Sequence, residues 1–260
     1  MDIRAAFMKL YWKMERLITP GLRSSQHAYE ETLRDHLAPD ARWLDLGCGH
    51  QLLPDWRETQ EQELVSRARV LVGVDYCLES LKRHRSIRLK ARADIGCLPF
   101  GHGIFDLVTA NTVVEHLDDP KVQFGEALRV LKPGGLFIFH TPNGLGYPTI
   151  LARLIPEALK ARLACILERR QEHDVFRTYY RANTRGRIRR LAEQLGFDVL
   201  SLQMVVSSAH LVVIPPLVIA ELCWIRLLMT RPLEALRTNI IAILRKSPTG
   251  PSSPPGGDPW

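Results

Sequence analysis

The sequence predicts an α/β fold, a mostly parallel sheet flanked by helices. Three observations carry this. Short apolar runs alternate with amphipathic stretches, which argues strands joined by helical crossovers and hence parallel pairing. The first run, Arg42-Trp43-Leu44-Asp45-Leu46, passes straight into a glycine turn, Gly47-Cys48-Gly49-His50. Asp45, Asp75 and Asp94 each stand where such a run ends, and open α/β sheets bind ligands beyond the carboxyl ends of their strands.

The elements follow in order. Ile3, Phe7, Leu10, Tyr11, Met14 and Leu17 recur at helical spacing and predict a first helix over 3–18, stopped by Thr19-Pro20-Gly21. A second helix, about 25–37, sets Tyr29, Leu33 and Leu37 on one side. These N-terminal helices, residues 1–38, are expected to pack at the sheet edge or to form a lid. The first strand is about 41–47. Asp45 and Asp75 lie 30 residues apart, longer than the usual spacing of about 20. His50–Arg69 therefore reads as an insertion with a helix near 57–68.

Val70–Asp75 is the second strand, followed by a helix of about 77–84, and the third strand ends near Ala91–Asp94. The fourth strand, 104–110, leads into Asn111-Thr112-Val113-Val114-Glu115-His116. Asp119-Pro120 opens a helix presenting Phe124, Leu128 and Leu131 to the core, with Pro at its favoured first turn. Lys132-Pro133-Gly134-Gly135 is expected to end that helix, with a fifth strand at about 136–141. Residues 143–183 read as a basic helical insertion, with Leu151, Leu154, Leu159, Leu163 and Leu167 at helical spacing. Asn183 or Thr184 caps a helix at 185–195. Residues 197–206 resume as a sixth strand and close a core domain of 39–206.

Residues 207–246 are read as an apolar helical extension. Within it, 211–229 approach spanning length, but Pro215-Pro216, Glu221 and Arg226 oppose insertion. Contact with a membrane interface through 205–246 fits better, with Trp224 at headgroup depth and Arg226, Arg231 and Arg237 nearby. A helical subdomain over the acceptor site, or a dimer face, is the other reading. Residues 247–260 are rich in Pro, Gly and Ser and read as a disordered tail.

The net charge is +7, and residues 151–190 alone hold eleven Lys or Arg against four Asp or Glu. Clustered positive charge suits an anionic partner or a solvated helix face. Cysteines 48, 77, 97, 165 and 223 are odd in number and contain no C-x-x-C. They suit reduced, packed thiols and no metal site, and Cys48 is assigned no nucleophilic role. Lys9, Lys13, Glu15 and Arg16 break any secretory pattern at the N-terminus, so a cytoplasmic location is expected.

The ordered series from Asp45 through Asp75, Asp94, Asn111 and Pro133-Gly134-Gly135 resembles the class I S-adenosylmethionine-dependent methyltransferases, over roughly residues 40–143. A Rossmann-like dinucleotide site is disfavoured, since Gly47-Cys48-Gly49-His50-Gln51-Leu52 lacks the third glycine of G-x-G-x-x-G. Gln51 also departs from the methyltransferase pattern, where a third glycine is common. The resemblance implies S-adenosyl-L-methionine as cofactor. It places the methionine portion on Asp45, Gly47, Cys48 and Gly49, and the ribose hydroxyls on Asp75. It sets Tyr76 against the adenine, Asp94 on its amine and the Ile95 backbone on a ring nitrogen. Asn111 and Val114 would line the methionine end.

His116, beyond the fourth strand, is the candidate general base; His140, His173 with Asp174, and Tyr179 are weaker candidates. The acceptor is read as a small molecule, a glycan or a lipid-linked compound. An RNA methyltransferase and a non-catalytic, membrane-associated donor-binding scaffold are the alternatives. Against nucleic acid, Asn111-Thr112-Val113-Val114 stands where an N-P-P-Y-type tetrad would be.

Overall fold

The computed structural model describes residues 3–154, 177–210 and 215–248. Two helices come first, α1 (Ile3–Ile18) and α2 (Ser25–His36). The sheet strands are β1 (Arg42–Leu46), β2 (Val70–Asp75), β3 (Leu89–Arg92), β4 (Phe105–Asn111), β5 (Leu131–Pro142), β6 (Phe197–Val205) and β7 (Asn239–Lys246). Between them lie α3 (Glu58–Arg67), α4 (Leu78–Arg83), α5 (Pro120–Val130), α6 (Tyr147–Leu154), α7 (Arg185–Leu195) and α8 (Pro215–Leu228). The sheet runs β3-β2-β1-β4-β5-β7-β6. β1 pairs in parallel with both β2 and β4, so strand order reverses beside it. That reversal opens a crevice at the carboxyl ends of β1 and β4.

Side chains alternate across the strands and fill a core on each face. Phe137 and Phe139 join Phe124 and Phe197 on one face, while Ile138 joins Trp43, Tyr29 and Leu64 on the other. The parallel, α/β and Rossmann-like expectation is met.

The C-terminal extension departs from expectation. Residues 239–246 are a strand, not part of a helical segment. β7 inserts between β5 and β6 and runs antiparallel to both. Ile240, Ala242 and Leu244 face one core and Ile241 and Ile243 the other. A short apolar run buried on both faces lacks period-2 alternation, so the sequence pattern does not separate strand from helix. Two boundaries also move. β3 ends at Arg92, leaving Asp94 in the loop beyond. Lys132–Gly135 belong to an irregular start of β5, where Phe105 opposes Leu131 but Leu107 opposes Leu136.

The insertion after β1 is held by a buried ion pair. Glu61 is fully buried, and Arg85 Nη2 donates to its Oε2 at 2.6 Å. Leu53 N–H (2.9 Å) and the Ser86 hydroxyl donate to it as well. Burial alone would raise the Glu61 carboxyl, but these donors win and hold it below its ordinary value. The bonds fix the backbone of Leu53 at the edge of the crevice.

α1 packs on α8 through Tyr11, Val218 and Leu222, and α2 covers the Trp43 face of the sheet. Arg237 reaches inward, donating to the carbonyls of Leu228, Met204 and Met229. It caps α8 and is not available to a membrane. Most of the expected basic insertion lies outside the described residues; α6 is its described start.

Ile241 is fully buried between two strands. Ile241→Ala is expected to cost about 2–5 kcal/mol of stability, read as a lower urea midpoint. A loss under about 1 kcal/mol would mean that β7 does not complete the core.

Candidate active site

The site begins at the turn after β1. Gly47 and Gly49 adopt φ of +62° and +55°, backbone that side-chain-bearing residues rarely take. A Cβ on Gly47 would lie 2.5 Å from Val113 Cγ2. A Cβ on Gly49 would meet nothing within 4 Å, so that backbone faces open space. Cys48 turns away and packs over Gly73, where an added Cβ would come within 2.7 Å of its Sγ. Burial, then the charges of Asp45 and Asp75, push its thiol far above the usual range. It is a packed thiol.

Asp75 at the end of β2 ties two loops together. Its Oδ2 accepts from Gly49 N–H at 2.8 Å and its Oδ1 from Cys77 N–H at 2.7 Å. Asp94 is exposed beyond β3, with Oδ1 accepting from Gly96 N–H at 2.7 Å. Asp45 is buried. Trp43 Nε1–H donates to Thr109 Oγ1 at 2.6 Å, so the Thr109 proton is directed to Asp45 Oδ1. Burial raises the Asp45 carboxyl to about 7; the Thr109 bond opposes this, and Glu61 and Asp75 add to it.

The end of β4 supplies the facing wall. Asn111 Oδ1 and His140 Nδ1 are 2.9 Å apart. A carbonyl oxygen only accepts, so His140 carries its proton on Nδ1. Asn111 Nδ2–H donates to Gln26 Oε1 at 3.1 Å, which links the strand to α2. His140 is buried, and burial depresses its pKa to about 4; it supports Asn111 from behind. Thr112 takes φ of +55°, a strained conformation for a β-branched residue costing about 1–3 kcal/mol. His116 Nδ1 sits 2.9 Å from the Arg177 carbonyl. By the same logic Nδ1 donates there.

These groups surround one cavity of about 570 Å³, within the range of small-ligand sites. Asp45, Gly47, Cys48, Gly49, Asp75, Tyr76, Asp94, Ile95, Asn111 and His116 all line it. Val114 does not. It is fully buried in the core, and Val113 forms the wall instead. The short 3-10 turn Val114–His116 rotates successive side chains, so a one-residue offset moved the assignment. Tyr76 is on the rim, with the Arg92 guanidinium 5.3 Å from its ring. Of the weaker candidates, His140 and Tyr179 are not in the lining; Tyr179 sits between Arg177 and Arg181. His173 and Asp174 lie outside the described residues.

Sequence reasoning missed Gln26, Gln51, Leu52 and Gln123 as lining residues. Among the described side chains, Gln26 of α2 is the lining residue contributed by the N-terminal helices. Gln51 Oε1 and Gln123 Oε1 are buried with no hydrogen-bond partner among the described residues. Both residues line the cavity, where a ligand N–H or O–H can reach such acceptors. Two unpartnered acceptors, an open glycine backbone and acids from three neighbouring strand ends fit a nucleoside bearing an amino acid.

Comparison with known proteins agrees. A methyltransferase-domain family matches residues 22–202. The ubiquinone biosynthesis O-methyltransferase of Idiomarina loihiensis is 32% identical over 108 residues, covering 38% of this chain and 42% of that protein. The demethylmenaquinone methyltransferase of Mycolicibacterium gilvum is 30% identical over 135 residues, 50% of this chain and 56% of that one. In both cases the chain spans less than two thirds of the relative's length. The crystal structure of an S-adenosylmethionine-dependent methyltransferase from Mesorhizobium loti superposes with a TM-score of 0.52 at 18% identity, covering 83% of this chain and 96% of that one. That likeness speaks for the fold. With the family match covering most of the chain, this protein belongs to the class I S-adenosylmethionine-dependent methyltransferases.

Proposed function

We propose that the enzyme methylates a small-molecule acceptor of quinone-like or lipid-linked kind, with His116 as general base. The observation that carries this reading is that His116 lines the same cavity as the glycine turn, Asp75 and Asp94. The names of two relatives, a ubiquinone biosynthesis O-methyltransferase and a demethylmenaquinone methyltransferase, support a quinone-like acceptor.

S-adenosylmethionine supplies an electrophilic methyl group on a sulfonium centre. The chain's own residues do the rest. Asp75 accepts the ribose hydroxyls with the lone pairs that Gly49 and Cys77 leave. Asp94 and Gln123 Oε1 take the adenine amine, and the Ile95 backbone pairs with the ring edge. Asp45 and the Gly47–Gly49 turn hold the amino-acid end. Leu52, Leu53 and Leu117 exclude water, which strengthens each polar contact inside. His116 Nε2 accepts the proton of an acceptor hydroxyl as it is methylated.

Asp75→Ala removes the ribose acceptors and frees the Gly49 N–H. Donor affinity by calorimetry is expected to fall about 30-fold or more, from the loss of charge-assisted bonds worth about 2–3 kcal/mol. Unchanged affinity would refute the ribose assignment.

His116→Ala is expected to lower kcat by about 10²–10⁴ with donor affinity retained. Full turnover would remove His116 as the base.

The Asp45 carboxyl, at about 7 in the free protein, sets a pH dependence. Its pKa is raised on folding, so its contribution to stability is present below the unfolded value and is lost as pH rises through about 7. A cationic amino-acid end favours the carboxylate, so donor binding is expected to tighten between about pH 6 and 8 and to release protons. Calorimetry in buffers of different ionisation enthalpy reads this. A flat profile, or one unchanged in Asp45→Asn, would count against the assignment.

A further inference from the structure

We infer that the paired helices α1 and α8 form a docking surface for an anionic lipid bilayer, on which the enzyme lies without spanning it. The inference does not depend on which acceptor is used.

α8 is apolar on both faces apart from Glu221 inside and Arg226 outside. Val218, Leu222, Ile225 and Leu228 are fully buried against α1 and the end of the sheet. The opposite arc is exposed and holds Leu217, Ile219, Ala220, Cys223, Trp224 and Leu227, with Arg226 as its one charge. A helix apolar on both faces belongs in a second apolar medium. α1 continues the pattern. Its exposed arc carries Leu10, Trp12 and Leu17, the last 80% exposed, interleaved with Lys9, Lys13 and Arg16.

The acids decide the partner. Glu15 of α1 and Glu221 of α8 are both turned inward. Tyr11 donates to Glu15 at 2.8 Å, and Tyr147 donates to Glu221 at 2.6 Å. The exposed arcs of the two helices, among the described side chains, are therefore apolar or cationic throughout, and Arg231 just beyond α8 adds to them. A second copy is a poor fit: a two-fold contact would set cations against cations with no acid to pair. An anionic headgroup layer over an acyl boundary matches both features. α8 has 14 residues, about 21 Å at helical rise, short of the roughly 30 Å of a bilayer core. No helix among the described residues is long and apolar enough to cross a membrane. The geometry is that of a helix lying in the interface plane.

The test is flotation of the full chain on phosphatidylcholine vesicles with and without phosphatidylglycerol. Binding is expected on the mixed vesicles, weakened by salt, and little on phosphatidylcholine alone. The triple variant Lys9→Gln, Lys13→Gln, Arg16→Gln is expected to lose on the order of 100-fold in partition, roughly fivefold per charge removed. The variant Trp12→Ser, Leu17→Ser, Trp224→Ser, Leu227→Ser is expected to lose binding with its cations intact. Retained donor affinity shows that both variants fold. Absence of flotation on the mixed vesicles overturns the proposal, as does binding that neither variant weakens. So does a concentration-dependent dimer abolished by the apolar variant while vesicles stay unbound.

Discussion

The two N–H bonds accepted by Asp75 hold the centre of this molecule. One comes from Gly49 in the turn after β1 and the other from Cys77 after β2. The turn needs two left-handed residues, which glycine tolerates but does not enforce. A carboxylate from the neighbouring strand converts that tolerance into one fixed shape. Gly73, beside it on β2, leaves room for Cys48, so the middle of the turn can bury its side chain and point its backbone outward. The shape of the turn is thus a property of two parallel strands together, not of the glycine loop alone.

Around this clamp the polar groups are ordered by forced proton directions. Trp43 donates to Thr109, so Thr109 donates to Asp45. Asn111 accepts from His140, so its amide is free to reach α2 at Gln26. The Arg177 carbonyl takes the Nδ1 proton of His116, which orients the ring at the cavity wall. Each of these partners is buried or pinned, and a buried polar group without a partner is costly. The strain at Thr112 sits in the same wall, held by the surrounding bonds.

The C-terminal part of the chain serves two ends. β7 fills the sheet between β5 and β6 and joins the cores on both faces. α8 leaves that core, takes α1 with it, and presents the apolar and cationic arcs described above. Glu15 and Glu221 could look like surface charges in an amphipathic pattern. Their tyrosine partners hold them inward, and the outer surface is left with its cations unopposed.

Much of this could be read from local pattern. The strand ends at Asp45, Asp75 and Asn111, the glycine turn, the insertion after His50 and the caps at Asp119 and Thr184 are written in short stretches. Backbone propensity and side-chain periodicity act over a few residues. Other features join distant residues and have no local signature. Gln26 meets Asn111 across 85 positions, and Trp43 meets Thr109 across 66. Gln123 and Val113 line the cavity, and Val114 does not, because of helix rotation that spacing leaves undetermined. β7 is a strand because two edges were waiting for it. An apolar run reports that it will be buried, and only its neighbours decide by which hydrogen bonds.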